Sequence, residues 1–291
     1  MNLTLEVLSK RPDGYHEIAT VMQAIDLSDR LFVAEAGDLS LTVDDDALPV
    51  DDGNLVLRAA RLLREASGCG RGAALSLRKR IPIAAGLGGG SSDAAATLMG
   101  LNRLWNLRWP RDRMAELAVQ IGMDVPFFLG RGRALATGRG ERLRALPGGG
   151  GYALVLVNPK VPLATREVYG RVPRDWRAEP TGMAAMIVAL RRRSARGVAL
   201  ALTNSLEALV EPWMPAITRM KAALLAAGAL GAAMSGSGPT VFGVARSHDD
   251  ARRIRARVTR AGWACWAVRT TSAAPIRFES RRTTHWGVAK W

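Results

Sequence analysis

The sequence predicts an α+β fold in two domains, and three observations carry the prediction. Stretches with the two-residue period of strands and the 3.6-residue period of helices are mixed without regular βαβ alternation, which argues against a doubly wound sheet. Pro147 and the four glycines that follow, Gly148-Gly149-Gly150-Gly151, break the chain near its middle. Over 291 residues, 48% hydrophobic and 23% charged side chains suffice for a packed core and exclude wholesale disorder.

Taken in order, the first strands are expected at residues 3–8, 18–25, 31–34 and 39–43, where apolar and polar residues alternate. Asn54 stands where a cap belongs, before a helix with Leu55, Ala59, Leu62 and Ala66 on one face. A strand at 74–79 runs into Ile81-Pro82 and a glycine cluster, after which Ser91-Ser92-Asp93 opens a helix reaching Leu104. Met114, Leu117, Ala118 and Ile121 mark the inward face of a helix over 112–121. Beyond the glycine run, 152–158 reads as an apolar strand, with helices at 183–193 and 216–227, the second closed by Gly228. Strands at 240–245 and 263–269 flank a basic helix at 249–261. Four glycines cannot hold a fixed element, so they mark the expected boundary. Residues 1–147 form the first domain, 152–274 the second and 275–291 a basic tail, read as a flexible arm.

The formal net charge of +15 raises a nucleic-acid reading. From Arg246 onward, 11 Lys and Arg face 3 Asp and Glu, so +8 of the charge lies in the last 46 residues. Much of it sits at 249–261, where arginines alternate with Ile254 and Val258, a pattern that a solvated helix face explains at least as well. No nucleic-acid motif accompanies it, and nucleic acid is not expected as the main partner. The longest uncharged apolar run, 222–234, has 13 residues, whereas a spanning helix needs about 20. No basic and then apolar leader opens the chain, and Cys69 and Cys265 are too few for a disulfide framework or a four-ligand zinc site. A soluble, cytoplasmic protein is expected, without a membrane partner and as a monomer or weak homodimer.

The strongest chemical signal is Pro82-Ile83-Ala84-Ala85-Gly86-Leu87-Gly88-Gly89-Gly90-Ser91-Ser92-Asp93. Glycines let backbone approach a ligand, and the helix that follows presents its positive end to the same spot, which suits a polyphosphate. Ser91 and Ser92 are placed to cap that helix and to offer hydroxyls. The segment is not a P-loop, because no Lys follows the last glycine, and not a dinucleotide fingerprint, because Ser91 stands where the third glycine belongs. A plain turn capping a helix is the bland alternative.

This loop resembles the ATP-phosphate loop of the GHMP kinases (galactokinase, homoserine kinase, mevalonate kinase, phosphomevalonate kinase). Gly122-Met123-Asp124-Val125-Pro126-Phe127-Phe128 is similar to their central motif, and Met234-Ser235-Gly236-Ser237-Gly238-Pro239-Thr240 to their C-terminal glycine loop. Lys10-Arg11-Pro12-Asp13-Gly14-Tyr15-His16-Glu17, with Asn2-Leu3 before it and Asn204-Ser205-Leu206-Glu207 after, resembles one branch. That branch phosphorylates 4-diphosphocytidyl-2-C-methyl-D-erythritol in the non-mevalonate route to isoprenoid precursors. The similarity runs from Asn2 to about Thr270, and Ser205 departs from it, since the branch usually has Asp there.

The resemblance implies a ribosomal protein S5 domain 2-like first domain and a ferredoxin-like second one. It implies ATP with Mg2+, the metal arriving on the phosphates with Ser91 or Ser92, and transfer of the γ-phosphoryl to the substrate's 2-hydroxyl. Asp124 would be general base or orienting acceptor, where a bare Gly-x-Asp-x-Pro turn suggests a cap. Tyr15 would stack near cytosine, His16 would read its polar edge and Tyr169 would close its other side. Thr165 would lie near the sugar-like end and Asn2 beside the acceptor, while Lys79 and Asn54 would fall near adenine. Two alternatives stay open: another GHMP small-molecule kinase of the homoserine or phosphomevalonate type, or a basic nucleic-acid-binding protein on a kinase scaffold. The family usually carries a lysine two residues before the position of Asn2, where this chain has only Met1. The expectation is therefore a late start, an in-frame Lys-apolar-Asn pattern in the upstream coding DNA and poor turnover as written.

Overall fold

The computed structural model describes residues 1–147, 151–259, 262–271, 276–280 and 287–290. Its elements begin with β1 (Asn2–Lys10), β2 (His16–Gln23), β3 (Arg30–Ala36), β4 (Leu39–Val43), α1 (Leu55–Ser67), β5 (Gly72–Arg78), α2 (Gly89–Leu104), α3 (Arg111–Ile121) and α4 (Val125–Leu129). There follow β6 (Arg133–Gly138), β7 (Arg142–Ala145), β8 (Ala153–Asn158), α5 (Thr165–Gly170), α6 (Met183–Arg191), α7 (Ala195–Leu200), β9 (Thr203–Asn204) and α8 (Glu207–Val210). The chain closes with α9 (Ala216–Ala226), β10 (Gly231–Met234), β11 (Val241–Ala245), α10 (His248–Val258), β12 (Ala264–Arg269), β13 (Arg277–Ser280) and β14 (Gly287–Lys290). Among the described residues, no helix is long and apolar enough to cross a membrane.

The chain divides into two compact units, each assembled from separated segments. The first holds Met1–Asp26, Pro82–Leu87 and Gly132–Ala273. One of its sheets has the order β7-β6-β2-β1-β9, antiparallel except for the parallel β1 and β9 pair, with Leu5 opposite Thr20 and Ile18 opposite Gly138. The other has the order β10-β11-β8-β12 and is antiparallel throughout. With the helices between β8 and β10, and α10 between β11 and β12, this is the ferredoxin-like arrangement that the family resemblance implies. Every residue of β8 is buried. Val155, Val157 and Val241 share one core with Ile217, Met220 and Leu224 of α9 and Ala251, Ile254 and Val258 of α10. The arginines of α10 lie on its exposed face, where Arg253 pairs with Asp250 at 2.5 Å.

The second unit holds Leu27–Ile81, Gly88–Arg131 and Ala274–Trp291 around a sheet of order β13-β14-β3-β5-β4. Leu31, Leu75 and Leu77 of that sheet are buried, as are Leu63 of α1, Leu98 and Leu101 of α2 and Phe127 of α4.

Four expectations are corrected. The division does not follow the glycine run, whose Gly148, Gly149 and Gly150 lie outside the described residues. The buried residues of α1 are Val56, Leu57, Ala59, Ala60 and Leu63, while Ala66 is exposed. The expected stripe was displaced by about one residue, because Leu55 and Leu62 are only half-buried. The basic segment after Pro275 is not wholly a free arm, since β13 pairs with β14 and β14 with β3, completing that strand's outer edge. Residues 272–275, 281–286 and 291 lie outside the described residues. Neither Ser91 nor Ser92 caps α2, because the cap is Gly88 in the left-handed conformation (φ 72°) and Ser92 Oγ donates back to the Gly89 carbonyl at 2.7 Å.

Candidate active site

In the first unit, the front half of the glycine loop is tied to the turn between β10 and β11. Ser235 Oγ donates to the Gly86 carbonyl at 2.8 Å, Thr240 N to that of Ala85 at 3.4 Å, and Leu163 N to that of Ala84 at 3.2 Å. Asn2 joins the same place, its backbone N–H donating to Ser235 Oγ at 3.3 Å and its Nδ2 to Thr20 Oγ1 at 2.7 Å. The Asn204-to-Glu207 motif holds the turn from behind: Asn204 Nδ2 donates to the carbonyls of Met234 and Gly236, both at 2.8 Å, and Glu207 Oε1 accepts from Met234 N at 2.5 Å. Ser205, the departure from the family pattern, accepts from Val7 N at 2.8 Å and so bonds to the β1 backbone. Thr165 and Ser237 share a hydroxyl hydrogen bond of 2.9 Å. Pro82 and Ile83 lead into this loop, and Ile83 is exposed.

Gly86 shows why this approach needs glycine. Its φ is +70°, and a Cβ there would stand 2.2 Å from the Ser235 carbonyl oxygen. Gly86→Ala is expected to cost at least about 1–2 kcal/mol from the left-handed backbone alone, with the clash in addition. Denaturant unfolding checks it, and parent-like stability would show that the loop shifts freely.

On the same unit, the His16 and Tyr169 rings lie 5.2 Å apart, tilted by 39°. His16 is buried, and among the described residues its Nε2 has no hydrogen-bond partner. Burial, aided by the charge of Lys10, pushes the imidazole below its ordinary range, so it is neutral at pH 7. A neutral ring nitrogen in that position is a donor or acceptor in want of a partner. Tyr15 is 48% exposed, and the Arg139 guanidinium stands 5.0 Å from its ring centroid. Arg139 was missed in the sequence reading, where the only signal is its place between Gly138 and Gly140.

In the second unit, Gly88 to Ser92 form the start of α2, where the first backbone N–H groups have no intrahelical acceptor. Leu87, at the end of the front half, is buried. A Cβ on Gly88 would stand 3.1 Å from the Phe128 ring, and one on Gly89 3.0 Å from Ile81. Lys79 is not solvated as a strand-end lysine usually is. Its Nζ lies 2.5 Å from Asp29 Oδ2 and 2.7 Å from Asp93 Oδ2, all three side chains being buried. Asn54 caps α1, Oδ1 accepting from Val56 N at 3.0 Å while Nδ2 donates to the Pro49 carbonyl at 2.8 Å. Both ends of that amide and the Lys79 ammonium are therefore already engaged within the fold, which explains their positions without adenine.

Asp124 sits at the start of α4, but its side chain makes no capping hydrogen bond. The carboxyl reaches solvent, yet protein crowds it enough that burial pushes its pKa above the ordinary carboxylate range. An uncapped, crowded carboxyl with a raised pKa has the makings of a base.

The GHMP kinases N terminal domain matches residues 54–132, and the GHMP kinases C terminal domain matches residues 186–264. A 4-diphosphocytidyl-2-C-methyl-D-erythritol kinase of Pelotomaculum thermopropionicum is 48% identical over 262 residues, covering 89% of this chain and 91% of the relative. One from Symbiobacterium thermophilum is 45% identical, covering 93% and 96%. The crystal structure of a 4-(cytidine 5'-diphospho)-2C-methyl-D-erythritol kinase superposes with a TM-score of 0.79 at 38% identity, covering 92% of this chain and 96% of that one. On this likeness, the chain belongs to the GHMP kinases, in the branch of the 4-diphosphocytidyl-2-C-methyl-D-erythritol kinases.

Proposed function

We propose that the protein transfers the γ-phosphoryl group of ATP to the 2-hydroxyl of 4-diphosphocytidyl-2-C-methyl-D-erythritol. Family membership supports the reaction class. The observation that carries the acceptor is the His16–Tyr169 pair with its unpartnered, neutral Nε2, which suits the polar edge and flat face of a pyrimidine. Gly86 to Ser92, with glycine backbone and the amino end of α2, suit the phosphates of ATP. Magnesium, carried by those phosphates, would neutralise charge on the transferring group. Asp124 takes the hydroxyl proton as the acceptor oxygen bonds to the γ-phosphorus and the bond to the β–γ bridging oxygen breaks, releasing ADP. Asn2 and Thr165 belong to the acceptor side, and Asn54 and Lys79 act as supports for the nucleotide side. Reaction in the cytoplasm on a small-molecule substrate follows from this reading.

A phosphate-transfer assay with the cytidylyl substrate, ATP and magnesium tests the proposal, and competition by CMP against the acceptor discriminates it from a homoserine or phosphomevalonate kinase. Indifference to CMP would support the alternative. Tyr169→Ala is expected to raise the acceptor KM about 10–100-fold, as loss of one base–aromatic stack does, with the ATP KM little changed. Equal KM values for parent and variant would remove Tyr169 from the pocket.

A further inference from the structure

Arg139 lies in the turn between β6 and β7, flanked by Gly138 (φ 73°) and Gly140 (φ 111°). Its backbone N–H donates to Glu141 Oε2 at 2.7 Å, and Gly140 N closes the turn on the Thr137 carbonyl at 3.2 Å. The turn is thus fixed, and it delivers the guanidinium to one face of the Tyr15 ring. Tyr15 is itself held from the backbone: its N–H donates to Asp13 Oδ1 at 3.1 Å and its carbonyl accepts from Arg11 N at 2.8 Å. A tyrosine 48% exposed, anchored at its backbone and covered on one face by a cation, keeps its remaining surface for a ligand.

The charges around it are unevenly committed. Arg11 is spent on Asp13 (3.2 Å) and Glu17 (2.5 Å). Among the described residues the Arg139 guanidinium has only the looser Glu141 Oε1, at 3.8 Å, and shares it with Arg142 at 4.0 Å. The field of Arg139 also reaches Asp13. With Lys10 acting on His16, four cationic side chains stand against the carboxylates of Asp13, Glu17 and Glu141. Among the described residues, Arg139 is the one of these cations whose guanidinium lies over the ring of Tyr15, the chain neighbour of His16.

We propose that Arg139 is a specificity-determining residue of the acceptor pocket: it backs Tyr15 and supplies the positive charge by which the pocket prefers a cytidine bearing phosphates to bare cytidine. This rests on the cytidylyl reading above. A planar guanidinium can serve both roles at once, stacking through its face and donating to phosphate oxygens through its edge.

Calorimetric titration of the full chain with cytidine and with CDP tests it, a non-hydrolysable ATP analogue first saturating the nucleotide site. The parent is expected to bind CDP more tightly than cytidine. Arg139→Gln should weaken CDP about tenfold, the scale of one charge-assisted contact, and cytidine by no more than about threefold, the scale of an exposed cation–π contact. Arg139→Lys, which keeps the charge, should retain most of the CDP preference. A merely structural arginine would weaken both ligands together and leave their ratio fixed. An unchanged ratio in Arg139→Gln, or equal loss of preference in Arg139→Lys, overturns the proposal. If the parent binds neither ligand, the cytidylyl reading itself fails and takes the proposal with it.

Discussion

Asp124→Asn is expected to lower turnover by about 10²–10⁴-fold, the usual contribution of a positioned proton acceptor, with folding and ATP affinity close to those of the parent. The structure separates the two effects. The Asp124 side chain makes no capping hydrogen bond to α4, so the amide removes no bond that holds the helix. On the role proposed for Asp124, what it removes is an acceptor for the hydroxyl proton. Because crowding by the surrounding protein holds the Asp124 carboxyl above the ordinary range, the acid limb of the parent's rate profile should also be displaced upward from that range. A base must be deprotonated to act, so the parent's rate rises with pH through that limb, and the variant should lack it. Steady-state rates from pH 4 to pH 9, beside a thermal melt, check both points. A folded variant with parent-like turnover would remove Asp124 from the chemistry.

Much of the fold was legible because burial imposes a period on the sequence. The strand at 152–158 and the helix at 112–121 reappear almost unchanged as β8 and α3, since each has one continuous apolar set to bury. Other elements were hidden for physical reasons. The β6 and β7 hairpin has arginines at both ends and a polar turn, so local alternation is weak, and its strand character comes from pairing with β2. The two-residue β9 is fixed by its parallel partner β1 rather than by propensity. The division into units depends on contacts between distant segments, to which a run of glycines in the sequence offers no guide. At the candidate site, the motifs single out the loop and Asp124 as candidates, because glycine spacing and a lone carboxylate in a rigid turn are local features. Arg139 is invisible to such reading, since its meaning depends on Tyr15, more than a hundred positions away. Lys79 was legible as a residue but not as a charge: its two partners, Asp29 and Asp93, sit on segments 50 and 14 residues distant.

Lys79→Met carries the largest expected effect on stability. In the parent, one ammonium sits between two buried carboxylates, and Asp29 Oδ1 also accepts from the backbone N–H groups of Arg80 at 2.6 Å and Ile81 at 2.9 Å. Among the described residues Asp93 Oδ1 is buried with no partner, so the site is already short of positive charge. Burial and the neighbouring Asp29 push Asp93 up to about 7 even with Lys79 present to lower it. Methionine fills nearly the same volume but leaves both carboxylates uncompensated, and breaking a buried pair in this way costs about 3–5 kcal/mol. In a domain of this size that corresponds to a melting temperature lower by about 6–20 °C. The loss should depend on pH in a definite direction. A carboxyl whose pKa is higher folded than unfolded adds stability that is full below the unfolded value and is lost as pH rises through the folded one. Removing Lys79 raises Asp93 further, so the deficit of the variant should be smallest near pH 5 and grow toward pH 8. Thermal melts of parent and variant at those two pH values decide it. A deficit that is small, or equal at both, would mean that water or a rearranged side chain replaces the ammonium and that the three groups do not act as one buried charge cluster.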